Sequence, residues 1–139
     1  MNRFLVLGLL LTFSTFSSLA GPEKMIGTWK SNKGATVAHL KIHTALTRIQ
    51  IEKISTILGK MVLVIDAETI TSTHGDDKFT TKYKVLSETK NTITFEAENP
   101  QTRKIEKGVF EFDASGKGFW SSDDKIEGFK ERFDKVVTN

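Results

Sequence analysis

Two neighbouring stretches decide the fold class: Phe79-Thr80-Thr81-Lys82-Tyr83-Lys84-Val85 and, after a polar turn over 87–91, Ile93-Thr94-Phe95-Glu96-Ala97-Glu98. In each, the bulkier or more apolar residues fall on odd positions and the charged or hydroxyl residues on even ones. A period of two is the mark of a strand with one face on a core and one in water. Two such runs joined by a short turn read as an antiparallel hairpin.

Working outward, the pattern repeats. Residues 68–73 form a Thr-rich strand that ends in the turn His74-Gly75-Asp76-Asp77. Before it, Met61 to Ile65 is apolar at every position. That predicts a strand covered on both faces, with the segment just upstream as one cover. Residues 25–31 supply a first strand with Ile26 and Trp29. Downstream, residues 103–113 change phase: Ile105 is odd, whereas Phe110 and Phe112 are even. A bulge near Gly108 is the expected repair. Phe119 and Trp120 mark the next strand. Residues 125–137 fit either a strand bearing Phe129, Glu131 and Phe133 or a helical stripe of Ile126, Phe129, Phe133 and Val136. Gly128 and the aromatic residues favour the strand.

Between the first two strands the period becomes helical. Thr36 is expected to cap a helix carrying Val37, Leu40 and Ile42. Thr47 opens a second, with Gln50 completing a capping box, Leu46 and Ile51 a hydrophobic staple, and Gly59 the stop. The chain therefore predicts a mainly β fold. We expect a single antiparallel up-and-down β-barrel of about eight strands with a two-helix lid inserted after the first strand.

Composition agrees. The 139 residues suffice for one domain, and Phe is abundant at ten residues against two Trp, so that aromatic rings can supply much of one core. The net charge of +3 is spread without a basic block, which argues against a nucleic-acid partner. The absence of Cys rules out disulfides and a lipoprotein anchor. Residues 1–20 read as a signal peptide: Arg3, an apolar run from Phe4 to Phe13, then Ser18-Leu19-Ala20 as the cleavage pattern. The run is too short to span a bilayer. The mature domain is expected over 21–139, secreted or periplasmic, with no membrane span after cleavage.

The order of motifs resembles the lipocalin and fatty-acid-binding superfamily, and most closely its small bacterial lipocalin-like proteins. Gly27-Thr28-Trp29 resembles the Gly-x-Trp entry to the first barrel strand. The helical pair over 36–58 resembles the lid that fatty-acid-binding proteins insert after that strand. Phe119-Trp120 and the run from Phe129 to Val136 resemble the last two strands. The resemblance implies an internal site for a small hydrophobic or amphipathic molecule. Fatty-acid-binding proteins hold a carboxylate with a closing Arg-x-Tyr. The nearest match is Arg132-Phe133-Asp134, with Asp in place of Tyr.

The expected inward ligand contacts are Tyr83, Phe95, Phe110, Phe112 and Phe119, with Glu131 and Arg132 as polar partners. Glu131 is the odd residue on its apolar face. If buried, it needs a partner or a raised pKa, and an ion pair at the barrel rim is weighed against a ligand head group. Trp29 is expected to close one barrel end beneath a cation from Arg132 or Lys135. His39 and His43 share a helix face, but two ligands do not make a closed metal site, and no metal or cofactor is expected. No nucleophile elbow or acid–base pair stands out, so a non-enzymatic binding protein is expected. The alternative is a barrel filled by its own Phe rings that acts on another exported protein. Mass spectrometry of the exported protein should find Gly21 as its first residue; an intact Met1 would contradict the leader.

Overall fold

The computed structural model describes residues 20–138. The expected leader, apart from Ala20, lies outside the described residues. A short helix α1 (Ala20–Met25) leads into β1 (Gly27–Ser31), then α2 (Lys33–His43) and α3 (Arg48–Ser55). Seven further strands follow: β2 (Val62–Ile65), β3 (Thr69–His74), β4 (Asp77–Glu88), β5 (Thr92–Glu98), β6 (Ile105–Phe112), β7 (Gly118–Ser122) and β8 (Lys130–Lys135). Each strand pairs with the next, all antiparallel, and β8 returns to β1, closing an eight-stranded barrel. The final segment is thus a strand, and the helical pair sits after the first strand as the sequence predicts. Among the described residues, no helix is long and apolar enough to cross a membrane.

The alternation places the core. Trp29, Leu63, Ile65, Ile70, Ile93, Phe95, Phe110, Phe112, Phe119 and Phe133 are buried together inside the barrel. Their strand neighbours Lys30, Val64, Lys82 and Lys84 are exposed. Val64 corrects the reading of residues 61–65: its side chain, on the outer face of β2, is 46% exposed, so that face is not covered along its length. The lid instead packs along β8, where the Thr36 hydroxyl accepts the backbone N–H of Arg132 at 2.9 Å. Leu40, Ile51 and Leu58 form a second small core with Val37, Leu46, Ile54 and Phe129.

The helix ends show where local signals hold. The Thr47 capping box forms in both directions, at 3.2 and 2.8 Å. Leu46 and Ile51 meet in the second core, as a staple requires. The first cap differs. Asn32, not Thr36, caps α2 through the Ala35 N–H at 3.0 Å, and Thr36 lies buried one turn in. Nor does α3 run to Gly59: it stops at Ser55, and turns carry the chain onward.

The expected bulge near Gly108 is absent. β5 and β6 pair without a break from Thr92↔Glu111 to Glu98↔Ile105. Ile105 simply points out of the barrel and is 65% exposed. The irregularity falls in β4, between Val85 and Ser87. Gly108 has another purpose. It pairs with Phe95 on the inward face, and a Cβ there would collide with the Phe95 ring, which packs 4.6 Å from Phe110. Gly108→Ala is therefore expected to cost about 1–3 kcal/mol, the usual range for overpacking a core. Gly108→Ala with Phe95→Leu should cost less than the sum of the two single changes in urea melts, because one relieves the other.

Candidate functional site

The barrel has two unlike ends. At one, Met25 and Trp29 are fully buried, and the Trp29 indole N–H donates to the Met25 carbonyl at 2.8 Å. Phe112 and Phe119 meet the Trp29 ring edge-on, with centroids 5.8 and 4.9 Å away. Phe119 in turn stacks between Phe110 (4.1 Å) and Phe133 (5.3 Å). This end is filled by its own rings. Lys135 lies 5.5 Å over the Trp29 ring, which decides between the two expected cations.

At the other end, among the turns β3–β4, β5–β6 and β7–β8, the rings thin out and a cavity of about 240 Å³ remains. Its walls are Leu63, Ile70, Phe79, Phe95, Phe110 and Phe133, with Ala97 and Met61 toward the mouth. Five polar or charged residues line it as well: Ser72, Thr81, Ser121 and Glu131, with Glu98 at the rim. Beyond it the mouth widens, bounded by Asn99, Glu106, Lys107, Asp123, Asp124 and Lys125. A groove against the lid, with Ile57, His74 and Phe79, adjoins it.

Glu131 is the electrostatic centre of this space. β8 turns it inward opposite Ser121 of β7, and the Ser31 hydroxyl donates to it at 2.6 Å across the β1–β8 junction. Burial raises its pKa above the ordinary carboxylate range, opposed by that hydrogen bond and by nearby His74. The ion pair weighed from the sequence does not form: among the described residues no Lys, Arg or His nitrogen lies within 4 Å of the Glu131 carboxylate. The imidazole of His74 is engaged elsewhere, its Nε2 3.3 Å from the Ile57 carbonyl.

The structure sorts the sequence candidates. Phe95, Phe110 and Glu131 line the cavity. Phe112 and Phe119 belong to the filled end. Tyr83 packs edge-on to Phe95 at 6.3 Å, and its hydroxyl leaves the barrel wall to donate to the Asp66 carbonyl at 2.8 Å. Arg132 is on the outer face. It lies 5.6 Å over the Trp120 ring and donates to Asp113 (2.6 Å) and Asp134 (2.8 Å). Gly118 beneath it leaves room that a Cβ would take from the guanidinium. Arg132 is thus on the opposite side of the sheet from Glu131, as adjacent strand residues must be. Asp113 has a lowered pKa, through the Ser115 hydroxyl first and then Arg132. Asp134 is also lowered: desolvation opposes, but hydrogen bonds from Asn32 and Arg132 outweigh it.

His39 and His43 stack 4.4 Å apart on α2, with Trp120 5.0 Å from His39, and His39 Nε2 sits 3.0 Å from the Gly128 carbonyl. They are not brought to His74 in a three-residue cluster; among the described residues no group of three or more metal-ligating side chains converges. The cavity residues not picked out from the sequence include Phe79, Ile70 and Phe133, with Ser72 and Ser121. Phe79 and Phe133 stood on the right face of their strands, and only the depth along the barrel was hidden.

Comparisons with protein-family models, with curated proteins and with solved structures each find no match to this chain.

The pH dependence follows from Glu131. A carboxyl whose folded pKa lies above its unfolded value, about 4.3, favours folding at low pH. That contribution is lost as pH rises through the folded value. Glu131→Gln should therefore be at least as stable as the native chain at neutral pH, with a flatter dependence of the urea midpoint just above the carboxylate range. A neutral-pH loss with the pH slope unchanged would show that the Ser31 bond, not desolvation, governs this site.

Proposed function

We propose that this is a non-enzymatic binding protein of lipocalin-like type, which holds a small hydrophobic or amphipathic molecule in the open half of its barrel. The observation that carries the reading is the cavity of about 240 Å³, apolar on its walls and polar at a few points near its mouth. An apolar pocket with a small number of oriented polar groups is the usual form of a small-molecule site. Drug-sized ligands fill about 300–1,000 Å³, so this cavity suits a compact ligand, one ring or a short chain, rather than a long acyl tail. The lid lies beside the mouth, and the groove lined by Ile57, Met61 and Phe79 offers the way in. With the leader removed, the protein acts outside the cytoplasm.

The filled end supports a second reading, in which the barrel is a rigid frame for contact with another exported protein. The two differ in one observable. If the cavity is the site, native mass spectrometry after mild purification finds a small hydrophobe bound. Ala97→Phe, which puts a ring into the cavity, should then lower affinity for it at least about tenfold, some 1.4 kcal/mol, while the melting temperature changes little. An empty native protein whose Trp fluorescence and melting temperature do not respond to a panel of small apolar compounds would favour the interaction module, to be sought by pull-down from the exported fraction.

A further inference from the structure

The charge lining the cavity narrows the class of ligand. Two charged side chains reach it, Glu98 and Glu131, and both are acidic. Glu98 already has a cation, Arg103, at 2.9 Å. Glu131 has none within 4 Å among the described residues, and its one hydrogen bond is from a neutral hydroxyl. Among the described residues no Lys or Arg lines the cavity. The arginine placed to receive an anionic head group is outside the barrel, committed to Asp113 and Asp134. At the mouth, Glu106, Asp123 and Asp124 stand against Lys107 and Lys125, so the approach does not reverse the sign.

Resting on the reading of the cavity as a binding site, we infer that its ligand is a small organic cation, an amine with a compact apolar body whose ammonium meets the Glu131 carboxylate. The apolar body fits among Ile70, Phe79, Phe95 and Phe110, and the ammonium sits at the level of Ser31, Ser72 and Ser121. An ammonium has three donors, and one carboxylate with the hydroxyls of Ser72 and Ser121 can satisfy them at the boundary between apolar wall and water. Burial that leaves Glu131 above its ordinary pKa, with only Ser31 and His74 opposing, is the strain a bound cation relieves. An anionic ligand would meet a second negative charge at the largely buried Glu131, where like charges repel more than in bulk water.

Three probes of one shape test this on the unaltered protein: phenethylamine, phenethyl alcohol and phenylacetate, titrated by calorimetry at neutral pH. The amine is expected to bind about tenfold or more tighter than the alcohol, the size of one charge-assisted hydrogen bond, with phenylacetate weakest. In Glu131→Gln the amine should fall to the level of the alcohol while the alcohol is unchanged, and Ala97→Phe should weaken both. If the alcohol or phenylacetate binds as well as the amine, the cation assignment is overturned and the pocket stands. If Glu131→Gln folds and leaves the amine's advantage intact, Glu131 is not its partner and the inference fails. If none of the three binds, both the cation and the pocket are overturned. The charge series needs no variant, so a Glu131→Gln that fails to fold leaves the decision with the unaltered chain.

Discussion

The barrel depends on a short seam. β1 and β8 meet over three register positions, Trp29↔Lys135, Lys30↔Asp134 and Ser31↔Phe133. Every other pair joins strands that follow one another in the chain, but this one joins residues about a hundred positions apart. Without it the sheet has two open edges, each a row of unpaired backbone donors and acceptors. So short a ladder needs help, and side chains supply it along its length. Lys135 covers Trp29. The Asn32 amide donates to Asp134 at 2.6 Å, and the Ser31 hydroxyl to Glu131. The Thr36 hydroxyl takes the N–H of Arg132, one of the donors that β1 leaves unpaired where it turns into α2. The lid is therefore tied to the closure of the barrel: its first turn continues the seam that β1 begins.

That seam also divides the interior. Below it, Trp29 and the stack of Phe110, Phe119 and Phe133 fill the space, and each large ring fully buried contributes about 1.5–3 kcal/mol. Above it the small inward residues Ser31, Ser72, Ala97, Gly108 and Ser121 stand among Leu63, Ile70, Phe79 and Phe95, and the cavity follows from their size. A barrel built only for stability would place large aliphatic side chains there. Instead it places small ones and a carboxylate without a cation, whose desolvation costs stability. The filled half supplies the burial that lets the open half be poorly packed, the usual relation between a scaffold and a site.

Much of the fold was legible because it follows from a period of two. The Phe79–Val85 and Ile93–Ala97 runs turn inward as read, and Trp29 closes one end. The capping box at Thr47 was visible because it is local. Two local signals misled, since Asn32 rather than Thr36 caps α2 and α3 stops at Ser55 short of Gly59; the other failures were non-local. Ile105 is apolar, and the pattern alone made a bulge seem necessary; in the barrel it faces water at a strand end, where one exposed apolar residue is unremarkable. Val64 was expected to be covered because its neighbours are apolar, yet the lid packs along β8. The site was half legible. Alternation told which side of each strand a side chain occupies, so Phe95, Phe110 and Glu131 were placed inside the barrel, where they line the cavity. It did not tell how far along the barrel a ring lies, so Phe112 and Phe119 were placed with them although they lie beyond Phe110, toward the filled end.

Arg132 shows why a motif and a face must agree before a role is assigned. Arg132-Phe133-Asp134 stands where a carboxylate-binding pair is expected, but Phe133 is buried in the core. With side chains alternating, Arg132 and Asp134 must then share the outer face, where Arg132 donates to both Asp134 and Asp113. The same parity brings Glu131 in with Phe133. One residue's burial thus fixes the sign of the charge at the mouth: an acid inside and a base outside. A register shift of one would exchange them, but it would also expel Phe133 from its stack with Phe119, a loss that outweighs any surface ion pair. The aromatic core therefore holds the carboxylate in the cavity, and the chemistry of the site follows from the packing of the barrel.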